Sequence, residues 1–391
     1  MGRHAEFGPN FLGIFCNMSV ISQNYRLWQV KRYERKRAEA IRKQQSVALG
    51  FAWPAPNIGG VRRHLESIEK YSSYPVALYP SNYASTLLGD GAERSIYQQN
   101  LDKMRVVQHS VFHSHVDPRF IRVSRQAQEH GIPWVHTYHT LYFEEHWDYK
   151  LQPWQIEIND CLLQEARHAD VCLSVSSWLV DWLNENHGIE SQFLPNGVDL
   201  KACDHADRDR FIEKYGITDF VLFVGSLSKI KNPLAFIEAA GRCPDIEFVM
   251  IGTDLSNDAV KRYFDLDIPV NLKLLGPLPH DQTMDAMAAC KVFVMTSYSE
   301  GQPTVLLEAM SMRKFCVVPA LHWCNDVVTN DSFGLKYSQD NIADLREKIE
   351  KAFDATPSDA VRQFIESRFS WPVVVKQLDN IYSNLLTQKN R

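Results

Sequence analysis

Residues 297–311 read Ser-Tyr-Ser-Glu-Gly-Gln-Pro-Thr-Val-Leu-Leu-Glu-Ala-Met-Ser, and this stretch decides the fold. It lies between two apolar, strand-like runs at 292–295 and 315–318. Pro303 suits the first position of a helix, because its missing N–H would have no intrahelical partner there. Apolar residues at helical spacing then predict a helix over 304–312. The stretch is therefore a strand-to-helix turn in an alternating α/β chain.

The turn at 299–302 has the features of a phosphate-binding loop. The free N–H groups of the following helix point over it, which favours an anion. Gly301 allows a ligand to approach the backbone closely. Glu300 and Glu308 flank the turn with oxygens that only accept hydrogen bonds, as a hydroxyl-rich ligand requires. These residues suggest a nucleotide sugar; the alternative is a solvated loop before an ordinary amphipathic helix.

The string 300–310 resembles the signature of the large superfamily of retaining glycosyltransferases with the GT-B fold, which carries two glutamates at this spacing. The resemblance implies an α/β protein with two Rossmann-like, doubly wound domains facing across a cleft. It also implies that Glu300 positions the donor sugar and Glu308 binds the ribose. Further donor contacts are implied for Gly301, Gln302, Pro303, Thr304 and Val305.

Composition sets the outer bounds. With 391 residues, 45% hydrophobic and 23% charged, the chain predicts a globular protein of two domains. A net charge of −5 gives no reason to expect nucleic-acid binding. The eight cysteines include no C-x-x-C pair, which is typical of reduced thiols in a cytoplasmic protein. The apolar run at 11–16 is too short for a membrane span, and no basic region marks a cleaved signal peptide.

Residues 1–45 form a separate N-terminal extension. The part at 25–45 is helix-prone and carries eight basic residues against Glu34 and Glu39. One interpretation is a basic amphipathic helix that makes peripheral contact with an anionic membrane. The other is a solvated helix packed on the first domain. Glu34 interrupts the apolar stripe, which favours the second interpretation.

The first domain is predicted at 46–199, with strands that end in polar residues. Gly59 and Gly60 lie between the first strand and the first helix, where the family has a G-G-V element. The resemblance implies that the Gly60 amide lies near the donor diphosphate. His115 and His139 each follow a strand, where ligands gather in open α/β sheets. The T-Y-H-T string at 137–140 matches the family, which implies that His139 contacts the donor sugar.

An aromatic cluster follows His139. If exposed, it would stack on the sugar rings or apolar tail of an acceptor; if buried, it would be core, which we expect for at least half of it. Its members are Tyr138, Tyr142, Phe143, His146, Trp147, Tyr149 and Trp154.

The second domain is predicted at 200–370, after a P-N-G-V-D string at 195–199 that resembles the family's hinge. The string at 225–232 resembles the family's G-R-L-x-x-x-K element and implies that Lys231 grips the diphosphate. Ser226 stands where the family has an arginine, and Lys229 is a candidate substitute. Pro277 and Leu278 match the stretch that cradles the nucleobase. The last helix, within 371–391, is expected to pack back on the first domain.

The expected activity is retaining transfer of a hexose from a UDP- or GDP-linked donor to a hydroxyl of a glycan, lipid-linked or other acceptor. His139, Glu300 and Lys231 are the expected catalytic residues. No D-x-D motif lies near the phosphate-binding loops, so no metal or other cofactor is expected. The alternatives are a nucleotide-sugar-binding GT-B protein with other chemistry, such as an epimerase, or one without turnover. We expect a cytoplasmic or peripheral membrane location.

Overall fold

A computed structural model describes residues 10–41, 44–50, 60–88, 96–97 and 108–389, with the side chains of the first helix described only in part. Within these ranges the chain forms one long N-terminal helix and two parallel sheets of six strands each. All strand pairs in both sheets are parallel, as the alternation of strands and helices predicts.

The first sheet has the strand order β2-β1-β3-β4-β5-β6. Its strands are β1 (Val47–Gly50), β2 (Val76–Tyr79), β3 (Val111–Ser114), β4 (Trp134–Tyr138), β5 (Val171–Ser174) and β6 (Gln192–Phe193). The helices of this half are α1 (Asn10–Ile41), α2 (Gly60–Tyr71), α3 (Asn82–Leu87), α4 (Pro118–Glu129), α5 (Pro153–Asp160) and α6 (Ser177–His187).

The second sheet has the order β12-β11-β10-β7-β8-β9. Its strands are β7 (Phe220–Val224), β8 (Glu247–Ile251), β9 (Leu272–Leu274), β10 (Val292–Val294), β11 (Phe315–Pro319) and β12 (Leu335–Tyr337). The remaining helices are α7 (Leu200–Asp204), α8 (Arg208–Tyr215), α9 (Pro233–Arg242), α10 (Asn257–Phe264), α11 (His280–Ala289), α12 (Thr304–Ser311), α13 (Ile342–Phe353), α14 (Asp359–Phe369) and α15 (Trp371–Lys389).

Both faces of each sheet are covered, which explains why the strands are apolar throughout. In β7, Phe220 and Leu222 join one core cluster with residues of α11 and α12. The alternate residues Val221 and Phe223 join a second cluster with residues of α9 and α13. Successive strand residues point to opposite faces, so such strands read as continuous hydrophobic runs.

The strand orders place a topological switch point in each sheet, between β1 and β3 in the first and between β7 and β10 in the second. Ligands of open α/β sheets bind outside the carboxyl ends of the strands at such points. Gly60 opens α2, the helix that follows β1, and His115, Lys231 and Glu300 lie after β3, β7 and β10. Both sheets thus direct the predicted site residues toward one region.

The chain crosses between the two halves twice, and the crossings lie side by side. Val198 N donates to Phe369 O at 2.8 Å, and Trp371 N donates to Val198 O at 3.3 Å. After the second crossing α15 packs on α2, where its apolar residues share a core cluster with Leu65 and Ile68. The Tyr382 hydroxyl also lies 2.6 Å from Nδ1 of His113 in β3.

The N-terminal helix α1 begins well before the helix expected from residue 25. Leu27, Val30 and Glu34 are buried against the first half. Glu34 pairs with Arg37 at 2.7 Å and accepts from the Ser81 hydroxyl at 2.5 Å. The glutamate that interrupts the apolar stripe is therefore a packing residue, which agrees with the second interpretation for this part of the extension. No helix of the described residues has the length and apolarity needed to cross a membrane.

Two local predictions differ from the structure. The sequence at 156–168 predicts one helix, whereas the structure has α5 followed by a π-helical turn, Cys161–Glu165, and a 3-10 turn, Ala166–His168. The aromatic cluster after β4 is less buried than expected, since only Tyr138 is buried and Tyr149 and Trp154 are exposed. Its other members are half-buried. Most of its members lie between β4 and α5, outside the strands, and of these Phe143 packs against the core.

Candidate active site

The loops after β7 and β10 are bonded to each other, and this fixes Lys231 beside Glu300. The Thr296 hydroxyl donates to the carbonyls of Lys231 and Asn232 at 2.9 and 2.7 Å. Tyr298 N donates to Ile230 O at 2.8 Å. Lys231 Nζ then donates to Glu300 Oε1 at 2.5 Å. A cation and a carboxylate are thereby held together at the carboxyl edge of the second sheet.

The helix α12 begins at Thr304, with Pro303 as its N-cap and no side chain bonded to its first N–H groups. Thr304, Val305 and Glu308 line a cavity of about 510 Å³. Pro277 and Leu278 line the same cavity, so the structure brings these predicted residues together. Its other lining residues are Arg63, Val224, Ile251, Gly252, Thr253, Pro279, His280 and Thr283. Open N–H groups beside a cavity suit a phosphate-bearing ligand.

Glu308 is contacted from both halves of the molecule. Its Oε1 lies 3.1 Å from His280 Nε2 and 3.8 Å from a guanidinium nitrogen of Arg63, which belongs to α2. Sequence reasoning missed both partners. Arg63 comes three residues after Gly60, and His280 directly follows the proline-rich string at 277–279, so their positions next to motifs are a usable signal.

His139 belongs to a buried group of three histidines with His64 and His115. Its Nε2 lies 2.9 Å from Nδ1 of His115, and its ring meets that of His64 edge-on at 4.8 Å. Nδ1 of His64 lies 2.9 Å from Oδ1 of Asn196. Burial lowers the pKa of His64 to about 4 and places the pKa values of His115 and His139 well below the usual range. All three rings are therefore uncharged near neutral pH.

The Glu300 turn meets the end of β4 directly. A Cβ atom on Gly301 would lie 1.9 Å from the His139 carbonyl oxygen, so only glycine allows this approach. Trp178 Nε1 donates to the Gly301 carbonyl at 3.2 Å. Gln302 accepts from Asn196 twice, from the backbone N at 2.5 Å and from Nδ2 at 2.9 Å. The structure thus brings His139, Glu300 and Lys231 together across the cleft.

The other predicted donor-binding residues, Ser226, Lys229 and Gly60, do not contact the Lys231–Glu300 pair through any described hydrogen bond. The Ser226 hydroxyl lies 2.9 Å from that of Ser228. Lys229 Nζ donates to the Trp147 carbonyl in the first half at 3.3 Å, whereas Lys231 faces Glu300. Gly60 opens α2, and a Cβ there would meet nothing within 4 Å, so the space in front of it is open. Gly59 lies outside the described residues.

Among the described residues, one group of at least three potential metal ligands comes together, namely His64, His115 and His139, with ligand atoms within 4.8 Å of one another. Imidazole nitrogens suit zinc and similar transition metals, whereas magnesium and manganese prefer oxygen ligands. The group therefore lacks the ligands that a diphosphate-bound magnesium ion would need.

Two protein-family models match the chain: Glycosyltransferase Family 4 over residues 58–202 and Glycosyl transferases group 1 over residues 207–368. The chain belongs to the group 1 glycosyltransferases of the GT-B fold. The two models meet near the paired crossings, and together they include the described histidine group and the Lys231–Glu300 pair.

Curated relatives of this group 1 glycosyltransferase include the UDP-Gal:alpha-D-GlcNAc-diphosphoundecaprenol alpha-1,3-galactosyltransferase of Escherichia coli, 30% identical over 50% of this chain and 54% of that enzyme. The D-inositol 3-phosphate glycosyltransferase of Mycolicibacterium smegmatis is 25% identical over 66% of this chain and 63% of that enzyme. The matches thus span between about half and two thirds of these relatives.

Solved structures share the fold of this glycosyltransferase over most of its length. Sucrose-phosphate synthase from Thermosynechococcus elongatus matches with a TM-score of 0.71 and 17% identity, covering 88% of this chain and 100% of that one. Anabaena HepE in complex with UDP and glucose matches with a TM-score of 0.67 and 18% identity, covering 87% and 100%.

Proposed function

We propose that this group 1 glycosyltransferase moves a hexose from a UDP- or GDP-linked donor to an acceptor hydroxyl, with retention of the anomeric configuration. One observation carries the proposal: Gly301, in the turn that also holds the Lys231–Glu300 pair, meets the His139 carbonyl beside the open N-terminus of α12. A diphosphate needs positive charge and N–H donors, and a sugar needs fixed acceptors, and all of these converge here.

Each residue has a role in this proposal. Lys231 and the N–H groups at Gly60 and Thr304 stabilise the departing diphosphate. The His139 carbonyl and Glu300 position the sugar. The ribose hydroxyls bind Glu308, in place of its bonds to His280 and Arg63. These assignments divide the molecule into a first domain at 46–199 with 371–391 and a donor domain at 200–370, with 1–45 as an extension.

We further propose that transfer needs no metal ion. Lys231 supplies a positive charge beside the site, and the one ligand cluster found among the described residues contains only imidazoles. A positive side chain can balance a diphosphate without the oxygen ligands that magnesium requires. No other cofactor is part of the proposal.

The proposed location is the cytoplasm, with peripheral membrane contact through the exposed side of the segment 25–45, whose buried side packs on the first half. The seven cysteines with described side chains are all free, as expected in a reducing compartment. On the outer side of α1, Tyr25 and Trp28 are exposed and stacked, and the Arg32 guanidinium lies 5.4 Å from the Trp28 ring. Aromatic and basic side chains together suit an anionic lipid surface. Some relatives are named for lipid-linked acceptors, which supports an acceptor of that class.

The rival reading is binding without turnover, which Ser226 favours because it removes a family arginine from the diphosphate loop. A thermal-shift screen of UDP- and GDP-linked sugars would identify the donor. The donor, labelled in its sugar, is then incubated with the protein in water. Slow release of sugar and nucleotide supports the transferase, and binding without release supports the rival.

A further inference from the structure

The cavity of about 510 Å³ lined by Thr304, Val305 and Glu308 is the proposed donor cavity. A second cavity lies beside the Glu300 turn and shares none of its lining residues. Its volume is about 430 Å³. It is lined by Phe143, Glu145, His146, Trp178, Asp181, Trp182, Glu185, Tyr298, Ser299 and His322. We name it the aromatic cavity. It draws residues from both halves, and two of them, Phe143 and His146, belong to the aromatic cluster after β4 that the sequence offered as a stacking surface.

The aromatic cavity lies next to the turn that carries Glu300. Tyr298 and Ser299, just before Glu300, line the aromatic cavity. Thr304 and Val305, just after the turn, line the donor cavity. The two cavities therefore flank the turn that carries Glu300. The Trp178 indole in the wall of the aromatic cavity donates to the Gly301 carbonyl, so this wall touches the turn itself.

One face of α6 supplies much of the lining. Asp181 and Trp182 come three and four residues after Trp178, and Glu185 comes four and three residues after them, so all four share a helix face. The Trp182 ring packs edge-on against Phe143 at 5.2 Å, and the Trp178 ring lies 4.6 Å from His322. Aromatic walls with a few polar groups are typical of small-ligand sites, and ring faces suit the apolar face of a sugar.

The charge of the lining selects among ligands. Glu145, Asp181 and Glu185 are carboxylates, and no lysine or arginine of the described residues lines the aromatic cavity. Burial lowers the pKa of His146, although the nearby Glu145 carboxylate partly opposes this, and burial also lowers the pKa of His322. Both imidazoles are therefore uncharged near neutral pH. A phosphate would be repelled here, whereas sugar hydroxyls would find hydrogen-bond acceptors.

We propose that the aromatic cavity binds the acceptor, and that the acceptor unit held there is an uncharged saccharide without a phosphate group. This inference rests on the proposed function. In the transfer, the acceptor oxygen forms a bond to the anomeric carbon of the donor. The bond from that carbon to the diphosphate oxygen breaks, its electron pair leaves with the diphosphate, and the acceptor proton ends on the diphosphate.

The test compares methyl glycosides of glucose, galactose, mannose and N-acetylglucosamine with the corresponding sugar 6-phosphates. Each is added to the full chain with the donor that the protein hydrolyses, and transfer product is quantified. We expect product from at least one uncharged glycoside and none from the phosphates. Equal or better use of the phosphates, or no product from any uncharged glycoside, would overturn the proposal.

Two variants address the cavity itself. Trp182→Ala should raise the KM for the uncharged acceptor about five- to tenfold, because a stacking face is lost. Trp28→Ala is the matched control, since Trp28 is an exposed tryptophan of α1 outside the cavity lining and these glycosides carry no lipid. Asp181 and Glu185 are both exposed. The double variant Asp181→Lys with Glu185→Lys should allow the sugar 6-phosphates to act as acceptors. An unchanged KM in the first variant, or unchanged selectivity in a folded second variant, counts against the proposal.

Donor hydrolysis in water distinguishes a wrong acceptor site from a wrong proposed function. A protein that hydrolyses a donor but gives no product with uncharged glycosides overturns the acceptor assignment alone. A protein that neither binds nor hydrolyses any nucleotide sugar overturns the proposed function as well.

Discussion

The two walls of the cleft hold polar residues in opposite ways. The first wall, His64, His115 and His139, is buried and uncharged. The second wall, Lys231, Glu300 and Glu308, is charged and partly open to solvent. Burial disfavours the charged form of an imidazole, whereas the second wall holds its side chains in ion pairs, Lys231 with Glu300 and Glu308 with Arg63. The difference suggests a division of work: the first wall provides shape and fixed dipoles, and the second provides charge.

The largest expected effect comes from the charge of the second wall. Lys231→Met should lower the rate of donor turnover by about 10²–10³-fold, as losing one group that stabilises developing negative charge typically does. Lys229→Met is the matched control from the same loop. Lys229 donates to the Trp147 carbonyl, away from Glu300, so its loss should matter far less. Equal losses in the two variants would remove Lys231 from its assigned role.

The next effect concerns nucleotide affinity. Glu308→Ala should weaken binding of the nucleoside diphosphate by one to a few decades. Hydrogen bonds to a charged group contribute about 1.5–3 kcal/mol each, and the carboxylate has two oxygens for the ribose. Calorimetry measures the change, with Glu308→Gln as a control that keeps one carbonyl oxygen. An unchanged affinity would show that the ribose binds elsewhere.

These two walls were also unequally predictable from sequence. Glu300 and Glu308 lie on one turn and one short helix, so local spacing fixes their relation. Arg63, from α2, reaches Glu308 only because the halves face each other, and Asn196 meets Gln302 for the same reason. His64, from the same helix, joins His115 and His139 through the tertiary fold of the first half. The alternation of strands and helices predicted both parallel sheets, but not the π-helical turn at Cys161–Glu165, which tertiary packing decides. The aromatic cavity was hidden for the same reason: its walls come from four separate segments.

The three buried histidines of the first wall should make the free energy of unfolding depend on pH. The pKa of a neutral buried histidine is lower in the folded than in the unfolded state. The unfolded chain therefore binds protons first as the pH falls, and the free energy of unfolding decreases below about pH 6.5. For His64 the decrease continues to its folded pKa of about 4. Each such histidine contributes a slope of about 1.4 kcal/mol per pH unit.

Urea unfolding at several pH values between these limits measures that slope. The comparison variant is His136→Asn. It removes a buried histidine of β4 that lies outside the three-histidine group and whose pKa is also lowered, to about 3. The variant should show a shallower slope by one proton, and so should His64→Asn. A slope that does not change in either variant would mean that these imidazoles are already protonated in the folded protein.

The smallest expected effect is that of a chelator. If the second wall supplies the charge that the diphosphate needs, transfer should continue at full rate in excess EDTA. Loss of activity that manganese restores would reveal a metal site at the diphosphate. Loss that only zinc restores would point instead to the three histidines of the first wall.

Both walls are proposed to bind one donor, and a change in the radius of gyration would show that they close on it. In the structure the walls touch at Gly301 and the His139 carbonyl, and the paired crossings at Val198 and Ser370 offer a hinge. A ligand held from both sides favours the closed arrangement. Solution scattering with the identified nucleoside diphosphate should show a smaller radius of gyration than without it. If the radius is the same with and without saturating nucleotide, the walls do not close on a shared ligand and the proposed two-sided donor site is wrong.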